Sequence, residues 1–469
     1  MPLNGRDLVL AAHKRTVVNR PPWVPFTGVH AAALAGYRAD EYLLDPAKIV
    51  AGIETAYSLY RPDGLPVCFD LQIEAEILGA ALHWAEDAPP SVISHPLVDG
   101  YAALADLRVP TASDGRIPIV LQATRALKKT VGKQAALYGL VTGPFTLAAH
   151  LRGVNIFLDM FDAPEDLQRL MAFCGLVARA MADYYSAAGA DVIAVVDPMI
   201  SQISPDHFHE FVHKEAGATF EHIRASNCAS SFFVCGNATA LLASMAACRP
   251  DGIAVDENVD MALLAAVAAE YNISFAGNIP LTTVMLFGSE AQNMAAVLNL
   301  VDAHAGPGYI LSPGCDIPFS VPVSNIGALT LAVHEPEKAR AILANQTAGN
   351  TVELDIQLPE YTNLQRPLVE LITLDSDTCP PCKYMVDATR RVAEMVPGGI
   401  DWVEYKITSP ENVVRMKKLG VSNLPTIVIN GQVAFVSRIP DLASYQKAIA
   451  RVAAESASVS AAVGRKEGA

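Results

Sequence analysis

"SSFFVCGNATA", residues 230–240, sets the reading of the chain. Phe232, Phe233, Val234 and Cys235 form an unbroken apolar run that stops at Gly236. A short apolar run closed by glycine reads as a buried β-strand meeting a turn. Seven more runs of this kind stand in the first 350 residues: "WVPFT" (23–27), "LPVCFD" (65–70), "ALYGLVTG" (136–143), "DVIAVVD" (191–197), "GIAVDE" (252–257), "ISFAGN" (273–278) and "YILSPGC" (309–315). Each is followed by enough Ala- and Leu-rich sequence for a helix. Strands that are apolar throughout are buried on both faces, and their alternation with helices indicates a parallel sheet. Eight such units predict an α/β fold of the (β/α)8 TIM-barrel type.

A barrel collects its strand ends on one face, where catalysis takes place. The candidate residues are therefore those at the exits: Thr27, Asp70, Gly143, Asp197, Cys235, Asp256, Asn278 and Cys315. One aspartate at a strand end can simply cap the next helix, and one buried cysteine behaves as a small hydrophobe. Polar or sulfur groups at most exits together point to a site.

Composition narrows the function. With 34 Lys+Arg against 49 Asp+Glu, the formal charge of −15 argues against nucleic acid and against an anionic membrane surface as partner. Residues 8–12, "LVLAA", are too short an apolar patch for a signal peptide. No run of about 18 apolar residues predicts a membrane span. The 8 cysteines are scattered through 469 residues, which fits a reducing cytoplasm better than a secreted disulfide framework. The expectation is a cytoplasmic, acidic enzyme with more than one domain.

The composition turns polar across 345–365, with "QTAGNTVELDIQLPEYTNLQRP" rich in turn formers. A boundary near 350 gives domains 1–350 and 351–457, and the small polar residues of 458–469 read as a flexible tail. After the boundary come the strand "LVELITL", then "DSDTCPPCKYM", a helix, the strand "DWVEYKI", a short helix, two apolar runs around "NG" at 430–431, and a last helix from 440. Asn-Gly between apolar runs is a hairpin signal. This β-α-β-α-β-β-α order, with Cys379 and Cys382 in a C-x-x-C opening the first helix, resembles the thioredoxin/glutaredoxin fold. The resemblance implies a cis-proline at Pro425 in "NLPT" (423–426). At a helix N-terminus Cys379 would be the attacking thiolate, and Cys382 would resolve the mixed disulfide.

The barrel half resembles the superfamily of uroporphyrinogen decarboxylase and the corrinoid-dependent methyltransferases. The resemblance rests on "GLPVCFDLQIEAEILGA" (64–80), "GLVTGPFTLAAHLRG" (139–153), "ADVIAVVDPMISQISPDHF" (190–208), "FVCGNAT" (233–239) and "GYILSPGCDIPFSVPVSNIGAL" (308–329). The decarboxylase branch implies an N-terminal arginine-rich motif for the substrate's carboxylates. Here 26–42 carries one arginine, Arg38. His150 stands where that branch has a tyrosine, and Gly314-Cys315 where it has Gly-His. Asp70 keeps the place of its catalytic aspartate. The methylcobalamin:coenzyme M methyltransferase branch implies a zinc ion held by His-x-Cys and a distant cysteine in "GCD". Cys235 and Cys315 match the two sulfur positions, and Phe233 stands where the histidine belongs. His150, His30 and Asp197 are the candidates for a third ligand.

The resemblance thus implies Zn2+ at Cys235 and Cys315, catalytic Asp70, His150 and Asp197, and substrate contacts from Asn237 and Asn278. The activity it implies is transfer of a methyl group between a corrinoid (free cobalamin or a corrinoid protein) and a small thiol or folate acceptor. A porphyrinogen-type decarboxylation, and a redox adaptor whose C-x-x-C does the work, remain as alternatives. "DAHAGPG" (302–308) has Pro307 where a cobalt-binding D-x-H-x-x-G needs glycine, so no corrinoid domain is expected in the chain. His209 and His213 have metal-capable i, i+4 spacing but read as surface residues of a helix.

Overall fold

The computed structural model describes residues 3–345, 356–361, 364–377, 380–421 and 424–452. Cys379 and the 458–469 tail lie outside the described residues, as does most of the segment around 350. The chain divides into two compact units, Met1–Ala348 and Gly349–Ala469.

In the first unit, strands β1 (Gly64–Pro66), β4 (Ala136–Thr142), β5 (Val192–Val196), β6 (Ala229–Val234), β7 (Gly252–Val255), β8 (Ser274–Ile279) and β9 (Tyr309–Pro313) form one sheet in that order. Every pairing in it is parallel. The antiparallel pair β2 (Ala81–His83) and β3 (Ser91–Ser94) stands apart as a short hairpin. Helices connect the sheet strands, the longest among the described residues being Pro164–Ala188 between β4 and β5. As the apolar runs require, β4, β5, β7, β8 and β9 are buried at every position.

Eight strands were expected and seven form. Residues 23–27 make a single parallel bridge, Trp23 with Leu311 of β9. The reason is in the sequence: Pro21, Pro22 and Pro25 have no N–H to give to a ladder. What hydrogen bonding remains reaches both edges of the sheet. Val24 N–H donates to Leu311 O at 2.9 Å, and Trp23 O accepts from Asp63 N–H, next to β1, at 2.8 Å. One segment bonded to both edge strands means that the sheet curls back toward itself.

Asp63 fastens this segment. Its carboxylate accepts from Arg20 Nη1 and Nη2 at 2.6 and 2.9 Å and from the backbone N–H of Trp23 at 2.7 Å. Asp63→Ala would leave the buried Trp23 amide and the guanidinium without their acceptor. A loss of about 2–3 kcal/mol is expected, read as a lower chemical-denaturation midpoint. A change below about 0.5 kcal/mol would mean that packing of the wholly buried Trp23 holds the segment unaided.

The second unit has β10 (Leu368–Thr373), β11 (Asp401–Lys406), β12 (Thr426–Ile429) and β13 (Gln432–Val436) in the order β11-β10-β12-β13. β10 and β11 are parallel, and the other two pairings are antiparallel. The helix Pro380–Met395 contributes Met385, Val386 and Val392 to its core, against Ile427 of β12 and Tyr445 and Ile449 of the last helix. Cys382 lies on that first helix, buried and disulfide-bonded. The Leu424–Pro425 peptide is cis.

Candidate active site

Asp70, one of the expected catalytic residues, follows β1 in an extended stretch and is closed off from solvent. It pairs with Arg116 Nη1 and accepts from the Gln72 amide at 2.9 Å. Arg116 also donates through Nε to Glu76 at 2.6 Å and lies over the Trp84 ring, 4.8 Å from its centroid. Asp70 and Glu76 outweigh the cost of burying the guanidinium and keep it charged. Its Nη2 is buried with no hydrogen-bond partner among the described residues. Beside this pair, Glu74 accepts from Thr142 N–H and Oγ1 at the exit of β4, at 3.0 and 2.8 Å.

Asp197, at the exit of β5, holds the first turn of the helix Pro144–Arg152. It accepts from Phe145 N–H at 3.1 Å, Thr146 N–H at 2.7 Å and Thr146 Oγ1 at 2.6 Å. Burial pushes its carboxyl up to about 6, and those three donors hold it from rising further. His150, on the same helix, is buried with Nδ1 unpartnered among the described residues, and burial followed by the nearby His95 drops its pKa to about 3. It is a neutral imidazole. His30 has both ring nitrogens engaged, Nδ1 with Phe319 O at 3.1 Å and Nε2 with Tyr60 Oη at 2.8 Å.

The two cysteines do meet. Cys235 at the exit of β6 and Cys315 beyond β9 are joined by a disulfide, with Cα atoms 6.1 Å apart. Two strands, β7 and β8, separate their own strands in the sheet, so the bond spans the curl. Both sulfurs pack on the interior cluster that contains Phe26, Phe69 and Phe233. Those three rings form a floor, with centroids 4.8 Å apart for Phe26–Phe233, 6.0 Å for Phe69–Phe233 and 6.1 Å for Phe26–Phe69. Phe233, in the histidine's place, is wholly buried in that floor.

Carboxylates surround the disulfide. Asp256 accepts from the Gly236 amide, next to Cys235, and from Asn258 N–H at 2.8 Å. Glu257 stands against Gly314, next to Cys315, where any Cβ would collide with its carboxylate. Its side chain keeps exposed surface while protein crowds its carboxylate. That desolvation, with the charge of Asp256 added, pushes Glu257 up to about 8. Asp316 packs its carboxyl into the space a side chain at Gly28 would need, at a φ of +32°. Its Oδ1 has no hydrogen-bond partner among the described residues, and burial raises it well above the carboxylate range. Asn278 spends its amide on Asp256 O at 2.9 Å and Val259 O at 2.7 Å, holding the loop after β7. Asn237 accepts from Thr239 N–H at 3.2 Å in a half-buried turn.

The donors do not fit the expected zinc ion. Among the described residues, no group of three or more His, Cys, Asp or Glu side chains comes together to hold a metal. The two sulfurs are bonded to each other and are not thiolates. Phe233 cannot ligate, and His30 and Asp197 are committed to the bonds given above. The motif's sulfur positions are kept and its nitrogen position is filled by an aromatic ring. Arg116 and Glu257 were missed in the sequence. Arg116 lies 46 residues from Asp70 with no motif around it, whereas Glu257 directly follows the flagged exit residue Asp256.

A family model described as "Uroporphyrinogen decarboxylase (URO-D)" matches residues 4–336, and one described as "Thioredoxin domain" matches 370–450. A methylcobamide:CoM methyltransferase, MtbA, of Methanosarcina acetivorans is 27% identical over 327 residues, covering 68% of this chain and 95% of the relative. A uroporphyrinogen decarboxylase of Carboxydothermus hydrogenoformans is 27% identical over 277 residues, covering 57% of this chain and 76% of the relative. A solved structure, a methyltransferase from Methanosarcina mazei, superposes with a TM-score of 0.65 at 24% identity, over 71% of this chain and 99% of that one. It shows the fold of the first unit.

Proposed function

The chain belongs to the uroporphyrinogen decarboxylase (URO-D) family over residues 4–336, with a thioredoxin domain behind it, and from that membership we propose that it moves a methyl group from a corrinoid substrate to a thiol acceptor. In this reading residues 22–27 occupy the eighth position of a closed barrel, and the strand exits form its active face. The observation that carries the proposal is the group of carboxylates at Cys235 and Cys315, with Glu257 against Gly314 and the cluster containing Phe26, Phe69 and Phe233 packed against both sulfurs.

This group of residues suits a thiol more than a polycarboxylate. A free thiol has a pKa of about 8.5, and a base near that value is matched to removing its proton. Glu257, at about 8, takes the proton of the acceptor thiol. The thiolate then attacks the methyl carbon. The carbon–cobalt bond breaks with its electron pair left on cobalt as the carbon–sulfur bond forms. The apolar floor keeps water from the reacting sulfur and so strengthens the electrostatics there. Asp256, held by Gly236 and Asn258, raises the basicity of Glu257 by its charge.

A porphyrinogen with many carboxylates would meet Asp256, Glu257 and Asp316 on this face, none of which offers a cation to pair with them. Incubation of reduced enzyme with methylcobalamin and 2-mercaptoethanesulfonate should replace the methyl-cobalt spectrum by that of the reduced cofactor and yield the thioether. Uroporphyrinogen should release little carbon dioxide. Rapid coproporphyrinogen formation with a silent methylcobalamin spectrum would overturn the reading.

A further inference from the structure

The buried strands of the first unit set their inward side chains in layers. Val196, Phe233, Ala254, Ala276 and Ile310 are register partners on β5 to β9, and all of them belong to the interior cluster. Side chains two residues apart on a strand share a face. The next layer toward the strand exits therefore holds Cys235, Asp256, Asn278 and Ser312, and Asn278 and Ser312 are themselves in register. An apolar layer is thus covered by oxygens and one sulfur.

The oxygens of this layer are acceptors without a cation. Asn278 spends its NH2 on Asp256 O and Val259 O, which leaves its Oδ1 to accept. Asp256 is bonded only by neutral donors, Gly236 N–H and the backbone and side-chain amides of Asn258. Among the described residues no Lys, Arg or His pairs with Asp256 or with Glu257 beside it. Ser312 is 1% exposed, and its Oγ has no hydrogen-bond partner among the described residues. Past β9 the chain stays on the sheet, with Gly314 N–H donating to Ile279 O at 3.0 Å. A Cβ at Gly314, two residues beyond Ser312, would point at the Glu257 carboxylate and at Asp256 Cα. The face that carries Ser312 is therefore turned toward the two acidic residues.

We propose that Asp256, Asn278 and Ser312 are a subsite for a primary ammonium group, and that the thiol acceptor of the methyl transfer proposed above is an aminothiol. The identity of the acceptor rests on that reading, and the subsite does not. An ammonium carries three N–H donors and no acceptor. The row offers a carboxylate, an amide oxygen and a hydroxyl to receive them, and the carboxylate makes the charge-assisted bond. A sulfonate or carboxylate at the same end of the acceptor would meet these oxygens with no cation to pair it. The ammonium keeps its protons throughout, and Glu257 takes only the proton of the thiol.

Thioethers that share one two-carbon chain and differ in its terminal charge test the subsite: 2-(methylthio)ethylamine, 2-(methylthio)ethanol and 2-(methylthio)ethanesulfonate. The Cys235–Cys315 bond closes one end of the row, so calorimetric titration uses the reduced full chain. The amine should bind about 10–100-fold more tightly than the alcohol, the difference made by one hydrogen bond to a charged group. The sulfonate should bind most weakly. Ser312→Ala removes a hydroxyl that bonds nothing in the described protein, so the variant folds, and Asp256→Asn removes the charge. Each should shrink the amine-to-alcohol ratio, Asp256→Asn to near unity. Equal affinities, a sulfonate that binds most tightly, or a ratio unmoved by both variants overturns the subsite. Methyl transfer from methylcobalamin to cysteamine, 2-mercaptoethanol and 2-mercaptoethanesulfonate is then compared by kcat/KM, each divided by its uncatalysed rate, and cysteamine should lead by a similar factor. An amine preference in binding with no transfer to any thiol fails the methyl-transfer reading and leaves the subsite standing. Transfer to all of them with equal kcat/KM overturns the aminothiol acceptor.

Discussion

Glu257→Gln should slow methyl transfer to a thiol acceptor by about 10²–10⁴-fold, the span that a positioned general base contributes. The effect follows from where the side chain stands. The carboxylate fills the space above Gly314, beside Cys315, and its pKa lies at about 8 through desolvation and the charge of Asp256. A base works in its deprotonated form. The wild-type rate should therefore climb as pH rises from 6 and level off above about 8, and the glutamine variant should lose that limb. Stability moves the opposite way. A carboxyl whose pKa is raised in the folded state contributes stability that is full below its unfolded value of 4.5 and lost as pH rises through about 8. Glutamine carries no charge to desolvate, so the variant should withstand denaturant at pH 8 at least as well as the wild type. A slow enzyme that is no less stable places the defect in chemistry. A variant with the wild-type rate and pH limb removes Glu257 from the mechanism.

Arg116→Met should cost about 3–5 kcal/mol, because it strands a charge inside the protein. Asp70 is closed off from solvent and Arg116 nearly so, and each is the other's ion-pair partner. Removing one member of such a pair leaves the remaining charge uncompensated in a poor solvent for it. Methionine keeps the volume and the contact with Trp84 while removing the fork that also holds Glu76. The measurement is the free energy from chemical denaturation of the first unit's transition. Adding Asp70→Asn should recover most of the loss, since the charge to be compensated is then gone. The double variant also separates two roles. If Asp70 only positions the loop after β1, the rescued protein transfers methyl groups at a near wild-type rate. If the carboxylate itself acts on substrate, stability returns and activity does not. A single Arg116→Met variant as stable as the wild type would mean that Asp70 finds another partner.

Legibility of the site varied residue by residue. Cys235 and Cys315 were visible because glycine follows one and precedes the other at the end of an apolar run. The motif resemblance paired them across 80 residues; spacing alone could not. Asp197 was visible for the same reason as Asp256, as an aspartate at a strand exit, but its three hydrogen bonds go to the start of the helix after β4. An exit aspartate that caps a helix and one that stands beside the disulfide have the same local sequence. Glu257 differs from Asp256 by one position, and only the loop after β7, held by Asn278, determines which of the two carboxylates turns toward Gly314.

Determined by the sequence alone were the alternation of buried strands and helices, the parallel sheet and the thioredoxin-like domain at the C-terminal end. These follow from local properties: runs of apolar residues, turn formers and helix-opening motifs act over a few neighbours. The prolines at 21, 22 and 25 also carried, unread, the reason that the first run bridges rather than forms a ladder. The tertiary structure alone decided which groups meet. It set Arg116 on Asp70, spent Asp197 and His30 on structure, put Phe233 into an aromatic floor and joined Cys235 to Cys315. Charge pairing, desolvation and bond formation act through distance in space, and a curled sheet brings together strand exits that lie tens of residues apart in the chain.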